Sequence, residues 1–344
     1  VIRKHASMLC DAGIDAIFFD TTNPPFTWRE EYEALCREYA TIRAEGARTP
    51  GIVFIAPFGD PTSIVEQIWK DLYQPGLWSD LWFRWEGKPL LLANKEYVKD
   101  PVVLDFFTFR RPMPDYWIGP NGPEQWSWLE VFPQHVFRNA KDEAEQMSVG
   151  VAQNALPNTP GPAPMSDVRG AMGRSWHNGA KDTRPDAMNY GFNFEEQWTR
   201  ALEVNPKFIF VTGWNEWTAG RYTEWSKYTD ATSYYRGGLF VDQYTQEYSR
   251  DCEPMRGGHT DNYYYQLMAN IRKRSRAYEK EMSEEYISSL NESYNRFFFH
   301  YQETPLLVVN SVGIDFVNNK ADFEELVRQI MRPHSGIEYF SPAR

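Results

Sequence analysis

Seven short apolar runs, separated by helical stretches, constrain the first 220 or so residues more than any other feature. IDAIFFD (14–20), GIVFIAPFG (51–59), KPLLLAN (88–94), DFFTFR (105–110), WSWLEVFPQ (126–134), MSVGVAQN (147–154) and FIFVTGWNEW (208–217) read as strands. TWREEYEALCREYATIRAEG (27–46), PTSIVEQIWKDLY (61–73) and FNFEEQWTRALEVN (192–205) read as helices, the first closed by Gly46. A Pro- and Gly-rich loop follows residue 154 and runs to about residue 190. Strands that are apolar on both faces must be covered on both faces, which predicts a parallel sheet flanked by helices. The predicted fold class is therefore α/β, a (β/α)8 TIM-type barrel lacking its first strand. A doubly wound sheet is the alternative, but neither GxGxxG nor GxxxxGK[ST] occurs to support it.

In a barrel the reactive end is the one where the strands finish. The predicted strand ends carry Asp20, Phe58, Asn94, Arg110, Gln134, His135, Gln153, Asn154, Asn215 and Glu216. Nearly all of these are polar, giving a rim of hydrogen-bonding groups with carboxylates among them, which suits a sugar site.

Composition narrows the partners. The chain of 344 residues has a net charge of −11, which argues against nucleic acid or an anionic membrane surface as the main partner. No apolar run approaches the length of a membrane-spanning helix. Three cysteines, Cys10, Cys36 and Cys252, are too scattered for a disulfide framework or a zinc site. No HExxH or similar spacing occurs, so neither a metal nor another cofactor is expected.

Glu216 is the leading catalytic candidate. Trp214 and Trp217 flank it and would desolvate it and stack on a sugar ring, while Asn215 would hold a hydroxyl. Its bland alternative is a pairing with Arg221. Glycoside hydrolysis usually uses two carboxyl groups. Asp20 is a second candidate, or else a turn residue before TTNPP. Asp186 is a third, or else it holds its loop; Glu224 can approach from the segment after Glu216. Glu130, inside a predicted strand, is a weaker candidate, or else a buried paired acid. His135 either orients a hydroxyl or is structural, His177 lies in a loop placed to act as a lid, and His259 is a further candidate.

Residues 1–270 resemble a bacterial glycoside-hydrolase-like barrel family, similar in style to family 71 and family 99 glycosidases. The carrying residues include KHASMLCDAGIDAIFFDTTN, WSWLEVFPQH, VGVAQN, GRSWHNG, DTRPDAMNYGFNFEEQW and FVTGWNEWTAGR. The resemblance implies an extracytoplasmic enzyme acting on a polysaccharide. A W-N-E-W-x-E-G pattern in family 99 carries two glutamates; Glu216 matches the first and Ala219 stands at the second. Residues 271–344 are similar to the C-terminal end of deoxynucleoside kinases, through RKRSRAYEKEMSEEYISSLNESYNRFFFHY, TPLLVVNSVGIDFVNN and FEELVRQI. There the Arg-rich turn (Arg272, Arg274, Arg276) would belong to a lid over phosphates. Three functions follow in descending order: a glycosidase built on Glu216, a catalytically silent carbohydrate-binding barrel, and a nucleotide-binding protein.

Overall fold

The computed structural model describes the chain except residues 114–117, 154, 156–171, 216–220, 223–238, 241–245, 280–304, 311–314, 316–318 and 342–344. Residues 221–222, 239–240 and 275–279 are described by backbone alone. The chain divides into two compact units, Val1–Ala277 and Tyr278–Arg344.

In the first unit, helix α1 (Ile2–Ala12) leads into β1 (Ala16–Asp20). Gly13, at φ 83°, closes the helix; its N–H reaches Cys10 O, and Ile14 N–H reaches Leu9 O. That double return needs a left-handed residue, which glycine supplies without a Cβ clash. Then come α2 (Arg29–Ala44), β2 (Gly51–Ile55), α3 (Thr62–Ile68) with a π-helical turn to Tyr73, and a hairpin of β3 (Arg84–Trp85) and β4 (Lys88–Leu92). Next are α4 (Pro101–Phe106), β5 (Thr108–Met113), β6 (Gln125–Ser127), β7 (Phe137–Arg138) and β8 (Ala144–Gly150). A small hairpin of β9 (Trp176–His177) and β10 (Ala180–Lys181) precedes α5 (Phe192–Val204) and β11 (Phe208–Thr212). Arg221–Tyr222 (β12) pairs antiparallel with Leu239–Phe240 (β13), and α6 spans Asn262–Glu279.

All seven predicted strands exist, but two are displaced. The run 105–110 begins in a helix, because Asp100 caps Val102 N–H and Pro101 occupies the first helical turn. Its strand starts at Thr108, so Arg110 lies inside the strand and not at its end. The run 126–134 stops being a strand after Ser127 and continues as an irregular descending segment.

β1, β2, β4, β5 and β6 form one parallel path; β11 pairs parallel with β8, and β7 antiparallel with it. Side chains alternate across both sheets. Ile52, Phe54, Leu91 and Phe109 face helices α1 to α4, while Val149, Val151, Ile209 and Val211 face α5 and α6. The opposite faces meet in a shared interior of Phe18, Val53, Ile55, Leu90, Leu92, Trp126, Phe208 and Phe210. β11 touches both ends of the five-strand path: Phe18 to Phe210 is 4.4 Å between ring centroids, and Trp126 to Phe208 is 4.7 Å. The strands therefore curve round one aromatic interior.

Between β6 and β8 a side chain replaces the ladder. Gln146 accepts from Ser127 N–H at 3.1 Å and donates to Ser127 O at 2.8 Å, so its amide mimics a strand's backbone. Lower in the interior, Arg110 makes a bidentate pair with Glu145 (2.6 and 2.7 Å), which also accepts the indole N–H groups of Trp126 and Trp85. Burial alone would raise the Glu145 carboxyl; the donors from Arg110 and the two indoles outweigh it and hold it below the usual range.

The second unit contains β14 (Leu306–Val309) pairing parallel with β15 (Ile337–Phe340), joined through α7 (Lys320–Met331). Asn319 caps α7 by accepting from Ala321 and Asp322 N–H. Among the described residues no helix is long and apolar enough to cross a membrane.

Candidate functional site

The C-terminal ends of β2, β6 and β11, with residues 250–253, bring together a mixed aromatic and polar surface. Phe58, just past β2, stacks on Trp128, just past β6, with centroids 6.2 Å apart and planes 30° from parallel. Both rings are half-buried. The Arg250 guanidinium sits 4.8 Å from the Trp128 ring centre. Trp128 is fixed from behind, since its carbonyl accepts the Thr212 hydroxyl at the end of β11. Residues 250–253 run beside the end of β11: Gly213 N–H donates to Arg250 O, and Cys252 and Glu253 N–H donate to Gly213 and Trp214 O. Glu253 thereby lies against Asn215, whose Nδ2 donates to Glu253 Oε2 at 2.7 Å. The other carboxylate oxygen is 2.8 Å from His5 Nε2 on α1.

Glu253, His5 and Arg250 are not among the residues that the sequence singles out. Arg250 and Glu253 lie in an irregular stretch without periodicity, so no strand-end argument reaches them. Phe58 was legible as a strand-end residue but carries no polar signal.

The predicted site residues fare unequally. Glu216, Trp217, Ala219, Glu224 and Asn154 lie outside the described residues, and Arg221 is described by backbone alone, in β12. Asp20 is exposed at the end of β1 and accepts Thr22 N–H at 2.7 Å, which is the turn geometry foreseen as its alternative. Asn215 lies three residues past the end of β11, with its amide taken up by Glu253. Trp214 does not wall the site: it packs outward, edge-on to His5 at 5.7 Å and near Tyr264 at 6.1 Å. Alternation would turn Trp214 inward with Phe208 and Phe210, but β11 ends at Thr212 and the rule no longer holds beyond it, so Trp214 joins Ile209 and Val211 on the outer side.

Arg110 is also corrected. It is 2% exposed and committed to Glu145 and Glu86, so it holds the interior and does not reach a ligand at the strand ends. Gln134 and Gln153 are wholly buried, and their amides serve backbone carbonyls: Gln134 donates to Ser148 O and Gln197 O, both at 3.0 Å, and Gln153 to Glu130 O. Together with Gln197 they tie the segment after β6 to β8 and α5. His135 lies on that descending segment, where the Gln134 carbonyl accepts from Arg200 of α5. Its Nδ1 is 2.6 Å from Glu130 Oε2, and its N–H donates to the same oxygen. That contact raises the His135 pKa against the opposing effect of burial. His135 is therefore a paired structural histidine, and Glu130 is the buried, paired acid that was foreseen.

His177 is anchored by Asp182 at 3.3 Å and by the Phe192 ring, 4.6 Å between centroids. The hydrogen bond from Arg184 holds Asp182 well below the usual carboxylate range. Asp186 is exposed and accepts the Tyr190 hydroxyl at 2.6 Å, which holds its own turn. His259 is buried behind the strand ends, edge-on to Tyr263. Among the described residues no group of acids, histidines and cysteines has the makings of a metal site.

The deoxynucleoside kinase family model matches residues 263–334. No curated protein matches the chain. Among solved structures the chain is similar to the GH99 endo-alpha-mannosidase from Bacteroides thetaiotaomicron, at 17% identity, covering 80% of this chain and 79% of that one, with a TM-score of 0.45. It is likewise similar to that enzyme in complex with bis-tris-propane, at 17% identity and the same TM-score, over 81% and 85% of the two chains.

Proposed function

We propose that the first unit is a glycoside hydrolase acting on an oligo- or polysaccharide, with Glu216 as its central carboxylate. The observation that carries this reading is the half-buried Phe58–Trp128 pair, with Arg250 over it, beside the end of β11. Stacked aromatic faces next to polar groups are how proteins hold the apolar face and the hydroxyls of a sugar ring together. The chain leaves β11 through Asn215 directly into Glu216. Asp20 and Glu253 supply further carboxylates at the same end of the strands. An extracytoplasmic location belongs to the same reading.

The test is hydrolysis of a panel of α- and β-linked oligosaccharides by the intact chain and by Glu216→Gln. Cleavage by the parent that falls by orders of magnitude in Glu216→Gln supports the reading. Equal cleavage by both sinks it.

A second reading, a carbohydrate-binding protein without cleavage, is favoured by Ala219, which cannot transfer a proton where the resembling family has a glutamate. Calorimetric glycan binding with no sugar released on long incubation favours it. Nucleotide binding through the kinase-like segment is motivated by the family match at residues 263–334. A melting temperature unmoved by ATP or deoxynucleosides removes it.

A further inference from the structure

We propose that the first unit binds a small monovalent anion, chloride in ordinary solvent, at the buried guanidinium of Arg174. Arg174 is wholly buried, on the stretch that leads into β9. Part of the group is accounted for. Its Nη2 donates to the Ser249 hydroxyl at 3.0 Å and to the Asp251 carbonyl at 2.6 Å. Its carbon lies over the Tyr263 ring, 4.5 Å from the centre. The other two nitrogens, Nε and Nη1, have no hydrogen-bond partner among the described residues. They carry three of the five N–H donors of a guanidinium.

The charge is matched no better than the donors. Arginine does not shed its proton in a protein. Among the described residues no carboxylate pairs with Arg174. Glu247, whose backbone carbonyl accepts the Arg174 N–H at 2.8 Å, spends its carboxylate elsewhere. It accepts the Ser175 N–H at 3.0 Å and the Ser175 hydroxyl at 2.6 Å, and it faces Lys181 at 3.9 Å. Asp251 serves Arg174 through its carbonyl. The neighbouring His259 registers the result: after burial, the Arg174 charge is what holds its pKa down, and no acid offsets it.

A buried cation without a counter-charge is among the costliest arrangements a fold can hold. Two neutral oxygens and one aromatic face offset only part of that cost. An anion beside Nε or Nη1 supplies both missing terms, an acceptor and a negative charge. Its class follows from the setting. A closed site excludes bulky ions, and a dianion such as phosphate would lose more hydration and bring one charge too many. A halide, single-charged and weakly hydrated, fits best. The consequence reaches the candidate site, because Ser249 and Asp251 flank Arg250 and the same segment carries Glu253 to Asn215. The ion lies under that segment and ties it to the stretch before β9.

The test uses the intact chain and Arg174→Met, both freed of chloride at neutral pH. Total salt is held constant while sodium chloride replaces sodium fluoride, whose strongly hydrated ion does not suit a dry site. The melting temperature of the parent is expected to rise by about 1–3 °C and to level off as chloride saturates. Arg174→Met is expected to show no saturable rise, because only the general salt effect remains in it. Parent crystals grown in sodium bromide are expected to show an anomalous bromide peak in contact with Nε or Nη1 of Arg174. Water alone or a protein carboxylate at that position overturns the proposal. So does a parent without a saturable rise, or an equal rise in both proteins. Where Arg174→Met does not fold, the bromide peak in the parent decides alone, and its absence from Arg174 overturns the proposal.

Discussion

Acidification should weaken the first unit through His259, by an amount that follows from its surroundings. The side chain is 4% exposed, lies 4.9 Å edge-on from the Tyr263 ring, and shares that ring with the Arg174 guanidinium at 4.5 Å. Burial first and the Arg174 charge second push its pKa down to about 4. The unfolded value is about 6.5. Above that value the imidazole is neutral in both states and contributes nothing against folding. Below it the unfolded chain takes up a proton that the folded chain refuses, so stability is lost as the pH falls from about 6.5 toward about 4. At about pH 5 the difference is roughly 1.5 proton-binding decades, or about 2 kcal/mol at about 1.4 kcal/mol per unit.

The non-titrating His259→Phe keeps an edge contact with Tyr263 and removes the proton site. Urea unfolding followed by tryptophan fluorescence, on both proteins at pH 7 and pH 5, isolates the effect, because all other titrating groups cancel in the difference. Parent stability relative to the variant should fall by about 2 kcal/mol between the two pH values. A difference that stays constant within about 0.5 kcal/mol refutes the reasoning.

Arg110→Met strands the buried Glu145 carboxylate and should cost about 3–5 kcal/mol in chemical denaturation, with Arg110→Met/Glu145→Leu recovering part of it. Gln146→Leu deprives the Ser127 backbone N–H and C=O of their partner across the β6–β8 gap; a loss of about 1–3 kcal/mol and faster exchange of the Ser127 amide are expected. His135 has its pKa raised by Glu130, so that contact stabilises fully below about pH 6.5 and fades as the pH rises through the folded value. The melting-temperature deficit of His135→Gln should accordingly be larger at about pH 6 than at about pH 8.5, and an equal deficit at both would count against the pairing.

The existence of the strands was legible because both-sided apolar runs such as GIVFI and KPLLL have no stable exposed form. β2, β4 and β11 were placed to within a few residues for that reason. Where the reading slipped, a local device took over. Pro101 behind the Asp100 cap turned the front of one predicted strand into a helix. WSWLEVFPQ lost strand structure after Ser127, and its remainder is held by amides from Gln134, Gln153 and Gln197. Those glutamines look like ligand-binding groups in a sequence, since nothing in one dimension says which carbonyl an amide will meet.

The candidate site shows the same division. The sequence by itself determined that apolar strands alternate with helices and that the chain runs from β11 through Asn215 into Glu216. It did so because burial of apolar runs and side-chain periodicity act over a few residues at a time. Only the tertiary structure decided that Trp214 turns outward, that Arg110 closes a buried pair with Glu145, and that Glu253 and His5 meet at Asn215. These depend on contacts between residues 35 (Arg110 and Glu145) to 248 (His5 and Glu253) positions apart. Such contacts are fixed by how the sheets curve, a property of the assembled strands that no single stretch encodes.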